Sequence, residues 1–176
     1  IYAKGLTKAS RLIDGIFMPT PAAVLRAGQL LSEGTTITKG WGDCLIVDVG
    51  GATTDVHSLG DGMPTKAGVV MRGLPEPFAK RTVEGDLGVR VSVVSLMEAV
   101  SSRVLAQDTG WSEERVESRI RALNDQPETL PQNPEEVLFD QVLGHQAVKL
   151  GVGRHVGRLS ELYTPSGLVW IQDGKD

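Results

Sequence analysis

Apolar positions along the chain follow two rhythms, one helical and one extended. After Thr20-Pro21 come Ala22, Ala23, Val24, Leu25, Ala27, Leu30 and Leu31, then Gly34. This predicts a helix capped by Thr20, opened by Pro21 and closed at Gly34. Residues 44–49 form an apolar run interrupted only at Asp48 and ending in Gly50-Gly51. The run is too short for a helix, so it predicts a buried central strand. "TDVHSLGDG" alternates loosely and predicts a second strand closed by Gly60-Asp61-Gly62, and residues 65–71 could supply a third. "GLPEPFAKRTVEGDLGVR" reads as irregular, punctuated by Pro75, Pro77, Gly85 and Gly88. Helical spacing returns from Val91 through Val94, Val100, Val104 and Leu105. Two more helices follow, one opened by Ser112 with Val116, Ile120 and Leu123, and a long one opened by Asn133-Pro134-Glu135-Glu136. Tyr163 to Ile171 predicts a two-stranded edge around Pro165-Ser166-Gly167. The order is that of an α/β domain, largely helical over 91–159.

Composition narrows the partners. The 176 residues, 40% apolar and 23% charged, suffice for one domain with a core, and the net charge of −4 leaves no basic field for nucleic acid. No stretch approaches 18 apolar residues, so no membrane span is expected. The start, "IYAKGLTKAS", is no secretion leader. Opening on Ile1 and ending in "IQDGKD", the chain reads as an excerpt from a longer, cytoplasmic protein. The single cysteine, Cys44, excludes a disulfide framework and is expected to be a buried, inert thiol.

Chemistry concentrates at "LIVDVGGATTDVHS", residues 45–58. Gly50 and Gly51 carry no Cβ and can bring backbone N–H groups close to an anion, while Thr53 and Thr54 add hydroxyls. Asp48 and Asp55 are themselves anions, so beside phosphate they require a cation or water between, as with hydrated Mg²⁺. The residues alone fit two readings, a Mg-nucleotide turn or a plain hairpin in which Asp55 caps the turn. No P-loop is present, because no G-x-x-x-x-G-K-[ST] occurs.

"DVGGATTDV" resembles the second phosphate motif of the actin, hexokinase and Hsp70-like ATPase superfamily. Together, "LIVDVGGATTDVHS", "RTVEGDLGVR" and "MPTPAAVL" resemble the glutamate (methylaspartate) mutase accessory proteins of the GlmL/MutL type, which are unrelated to the mismatch-repair protein. The likeness runs from about Lys4 to the end of the chain. It implies a partial actin-like (ribonuclease H-like) ATPase fold, with a mixed sheet, a strand hairpin and flanking helices. It also implies ATP and Mg²⁺ as cofactors, and activation or reactivation of an adenosylcobalamin-dependent mutase by exchange of damaged cobalamin. On this resemblance Asp48 orients the attacking water or a Mg-bound water. Gly50, Gly51, Ala52 and Thr53, with Thr54 beside them, contact the phosphates, and Asp55 holds the Mg²⁺ water shell or structures the turn. Glu84, Gly85 and Asp86 stand where relatives begin a helix facing the nucleotide. They fit equally an acidic helix start that complements the dipole.

A complete ATPase of this kind also carries a first phosphate motif and a late adenosine loop, neither of which occurs in these 176 residues. "GVGRHVG", residues 151–157, lies late in a helix and reads as close packing or a helix end. The chain is therefore expected to supply half of a two-lobed cleft, to bind ATP poorly alone and to be inactive alone. The alternatives are a hydantoinase/oxoprolinase-type hydrolase, against which "RTVEGDLGVR" argues, and a non-catalytic module of the same fold. His57 reads as a hydrogen-bonded strand histidine or a proton carrier near phosphate. His145 and His155 lack metal-ligand spacing, Trp41, Trp111 and Trp170 are expected to plug core edges, and Glu113-Glu114-Arg115 reads as a solvated face.

Overall fold

The computed structural model describes residues 18–174. The reading of "IYAKGLTKAS" falls outside them. The elements are α1 (Thr20–Glu33), β1 (Cys44–Val49), β2 (Thr54–Leu59), β3 (Val69–Arg72), β4 (Ala79–Glu84), α2 (Val93–Val100), α3 (Ser102–Thr109), α4 (Glu113–Asp125), α5 (Pro134–Val156), β5 (Arg158–Thr164) and β6 (Gly167–Asp173). The chain is thus α/β, with two small sheets and flanking helices.

The first sheet is antiparallel in the order β1-β2-β4, with Asp48 opposite Asp55 and Thr54 opposite Glu84. Cross-strand partners share a face, so Ile46, Asp48, Asp55, His57 and Leu59 look one way and Thr54, Val56, Ser58, Thr82 and Glu84 the other. Helix α1 covers the first face, where a Cβ on Gly28 would stand 2.9 Å from Ile46 Cδ1 and 3.0 Å from Leu59 Cδ2. Helix α5 covers the second, where a Cβ on Gly151 would meet Val56 Cγ2 at 3.3 Å and Thr54 Cγ2 at 3.4 Å. The second sheet runs β3-β6-β5, with β3 parallel and β5 antiparallel to β6.

The main hydrophobic core lies among α2–α5, where Leu96, Leu105, Ile120, Leu123, Phe139 and Leu143 are fully buried around Leu87. Trp111 stacks on Phe139 with ring centroids 4.8 Å apart, and the Arg115 guanidinium lies over Trp111.

Several expectations are corrected. Among the described residues strand β1 is an edge of its sheet, with Leu45 and Asp48 exposed, and the more polar β2 is the buried centre. Residues 79–84, read as irregular, form β4, and the strand supplied near 65–71 joins the other sheet. The helix expected from Val91 is two eight-residue helices broken at Ser101, whose φ of 86° no α-helix accommodates. Ser101 then caps α3, accepting from Val104 N. The N-cap of α1 is Pro19, and Thr20 makes no capping bond. The N-caps of the later helices are as expected, Ser112 accepting from Arg115 N and Asn133 from Glu136 N. Trp41 is 77% exposed and plugs nothing.

Candidate functional site

The β1–β2 turn, Gly50 to Thr53, closes with Gly50 N donating to Thr53 O at 2.8 Å. Its first three carbonyls are engaged by residues 89–92. Val89 N donates to Gly50 O at 3.1 Å, Arg90 N and Val91 N to Gly51 O at 2.9 and 2.7 Å, and Ser92 Oγ to Ala52 O at 2.7 Å. Gly88 permits this approach, because a Cβ there would lie 2.4 Å from Ala52 C and 2.5 Å from Gly51 O. Thr54 Oγ1 completes the junction by donating to Leu87 O at 2.8 Å in a buried bond. With the carbonyls consumed, the amides of Gly51, Ala52 and Thr53 point elsewhere, and none has an acceptor among the described residues. Gly51 and Ala52 are exposed. Successive backbone N–H groups left free at a turn are donors that can receive an anion or water.

The carboxylates around the turn differ sharply in freedom. Asp48 is exposed at the end of β1, with no hydrogen bond or ion pair among the described residues. Asp55, opposite it, is 8% exposed and takes the Arg81 guanidinium on Oδ1, with Nε at 2.8 Å, while Thr53 Oγ1 donates to its Oδ2 at 3.2 Å. This pairing removes the repulsion that two adjacent carboxylates on one sheet face would otherwise suffer. Glu84 and Asp86 stand on the far side of the junction, both held by Arg154 from the last turn of α5. Arg154 Nη1 reaches Glu84 Oε2 at 2.8 Å and Asp86 Oδ1 at 2.7 Å, and Nη2 reaches Asp86 Oδ2 at 2.8 Å. The hydrogen bonds from Arg154 hold the Asp86 carboxyl below its ordinary range.

The expected site residues are therefore brought together in part. Residues 50–54 and 84–92 form one interlocked unit, so the two sequence blocks meet in space. Glu84 and Asp86 do not open a helix. Glu84 ends β4, a turn follows, and the next helix starts at Val93. Arg81, Arg154 and the 89–92 amides went unremarked in the sequence. The arginines are placed beside the acids they pair with by tertiary structure, and the amides beside the turn's carbonyls likewise.

Both ring nitrogens of His57 are buried and have no hydrogen-bond partner among the described residues, so within them it is not the hydrogen-bonded histidine expected. Burial is the chief reason that its pKa falls below the ordinary value, which keeps the ring neutral. His155 lies between Thr82 Oγ1 and Ser58 Oγ, each at 2.8 Å, and ties α5 to the sheet. Cys44 is partly buried, and burial with the nearby Asp43 pushes its thiol pKa up, away from the nucleophilic thiolate. Among the described residues no group of three or more His, Cys, Asp or Glu could hold a metal ion, and no helix is long and apolar enough to cross a membrane.

The fold and site describe an α/β domain with an amide-lined turn beside one unpaired carboxylate. The family model described as "MutL protein" matches residues 1–176. Protein MutL of Clostridium tetanomorphum is 48% identical over 176 residues, which are 100% of this chain and 38% of that protein. No solved structure matches. The chain belongs to the MutL protein family, and it spans well under half of its curated relative.

Proposed function

We propose that the full-length protein is a cytoplasmic Mg-ATP-dependent ATPase of the actin-like fold that activates or reactivates an adenosylcobalamin-dependent mutase such as glutamate mutase. The observation that carries this reading is the turn itself. Three successive amides, Gly51, Ala52 and Thr53, are left without acceptors while every carbonyl beside them is occupied. Kinship with a MutL protein, together with the likeness of "LIVDVGGATTDVHS" to mutase accessory ATPases, supports the mutase as the partner.

The donor set fits a nucleotide held as its magnesium complex. Backbone N–H groups suit the oxygens of terminal phosphates, and Asp48, a hard oxygen ligand, suits a hydrated Mg²⁺. When bound, the magnesium complex supplies a phosphoanhydride activated for attack by water. The chain's own contribution is positional. Residues 89–92 fix the turn so that its amides need no reorganisation, and Asp48 accepts a hydrogen bond from a water at the open end of β1. Asp55, bound to Arg81, structures the turn. The amides of Gly51 to Thr53 are the principal phosphate contacts, with Thr54 committed to Leu87.

The test is phosphate release by the full-length protein, with and without the mutase, for wild type and Asp48→Ala. Turnover that Asp48→Ala abolishes without loss of fold supports the reading. Unchanged turnover removes Asp48 from its role, and ATP binding with no hydrolysis even beside the mutase leaves a non-catalytic module.

A further inference from the structure

We infer that Arg154 is a positioning residue of the phosphate turn, an electrostatic shield that keeps Glu84 and Asp86 from opposing the anion the turn receives. The inference rests on the nucleotide reading above and adds to it a residue outside both sequence blocks.

Glu84 is in register with Thr54, the residue that follows the turn, and Asp86 lies two residues before Gly88, whose backbone abuts Gly51 and Ala52. Two negative charges at this junction would weaken an anion receptor beside it unless they are at least partly offset. Arg154 offsets one of the two charges and hydrogen-bonds both carboxylates, donating to Glu84 once and to Asp86 through both terminal nitrogens. A lysine could not span the two carboxylates in this planar fork.

The same grip has a mechanical side. Arg154 is in the last turn of α5, which is also bound to the sheet through His155 and which passes Thr54 and Val56 at Gly151. Residues 84–86 lead directly into Leu87, which holds Thr54 Oγ1, and into the 89–92 amides that hold the turn's carbonyls. The end of α5 is therefore joined to the turn by one unbroken chain of bonds. The arginine's charge and its grip both serve to orient the Gly51 to Thr53 amides.

The test uses the full-length protein and Mg-ATP titrated calorimetrically at low and high salt. Arg154→Met should weaken binding on the order of tenfold at low salt, and the loss should shrink as salt screens the partly exposed carboxylates. The charge-balanced variant Glu84→Gln/Asp86→Asn/Arg154→Met should recover most of the affinity, and Arg154→Lys should fall between. Should Arg154→Met fail to fold, the Lys and charge-balanced variants decide by the same order of affinities. Wild-type affinity in Arg154→Met, a loss indifferent to salt, or a charge-balanced variant as weak as Arg154→Met would each overturn the shield. A wild-type protein that binds no Mg-ATP would overturn the nucleotide reading itself, which separates that failure from this one.

Discussion

Replacing Gly88 with alanine tests how firmly the 84–92 segment is locked onto the phosphate turn. Gly88 has no left-handed φ, so alanine brings no backbone conformational cost and the clash alone decides the outcome. The new Cβ would lie 2.4 Å from Ala52 C, 2.5 Å from Gly51 O and 2.6 Å from Ala52 Cα. All three are backbone atoms that no rotamer change can move. Relief to ordinary contact needs a displacement of about 1 Å between two well-packed backbones. That shift pulls on the bonds from Val89, Arg90 and Val91 to the Gly50 and Gly51 carbonyls. Overpacking of this kind costs about 1–3 kcal/mol, and partial loss of the bonds adds about 1 kcal/mol. A local destabilisation of about 2–4 kcal/mol accelerates amide exchange by roughly 30- to 1000-fold where opening is pre-equilibrated. Hydrogen exchange followed by mass spectrometry on peptides spanning residues 87–93 of the full-length protein reads this directly. Gly153→Ala is the control, since its Cβ meets nothing within 4 Å and it lies inside α5, where alanine should stabilise by about 1 kcal/mol. Exchange over 87–93 unchanged by Gly88→Ala would refute the interlock.

Other outcomes follow from the charges. Arg81→Met leaves Asp55 buried without its cation and should destabilise the fold by about 2 kcal/mol, a value discounted because the Arg81 side chain is 33% exposed; denaturant titration beside wild type measures it. The depressed Asp86 pKa means that its contribution to stability is complete above the ordinary carboxylate value of 3.8 and disappears as pH falls through the lower folded value. Arg154→Met should therefore flatten the acid limb of a melting-temperature profile below about pH 4. His57, held neutral chiefly by burial, makes no demand above its ordinary value of 6.5 but destabilises the fold as pH drops below it, because only the unfolded chain takes the proton readily. His57→Phe should remove that slope below about pH 6.5, and an identical slope in wild type and variant would contradict it.

The sequence showed the helices and the turn more clearly than the sheet around them. Helices α4 and α5 announce themselves through Ser112 and Asn133 and through apolar stripes that become the core. Strand β4 was hidden because "AKRTVE" places Lys80 and Arg81 where a strand would normally show alternation. Their heads are satisfied by Glu76 and Asp55, partners that only the fold supplies. Hydropathy also favoured β1 over β2 as the central strand. The polar β2 is buried because Thr54, Asp55 and Ser58 each find a bond partner, in Leu87, Arg81 and His155. At the site, "DVGGATTDV" located the turn, since glycines and hydroxyls are local signals. Which carboxylate stays unpaired depends on Arg81 and Arg154, 26 and 70 residues from Asp55 and Glu84, and pairing across such distances is set by tertiary structure.

The most direct test is the amide resonances of Gly51, Ala52 and Thr53 in the ¹⁵N-labelled full-length protein, followed as Mg-ATP is added. The three should shift together and saturate, with Asp48→Ala leaving them able to shift but abolishing phosphate release. Resonances that stay fixed while nucleotide binds elsewhere would contradict the turn as the seat of the phosphates.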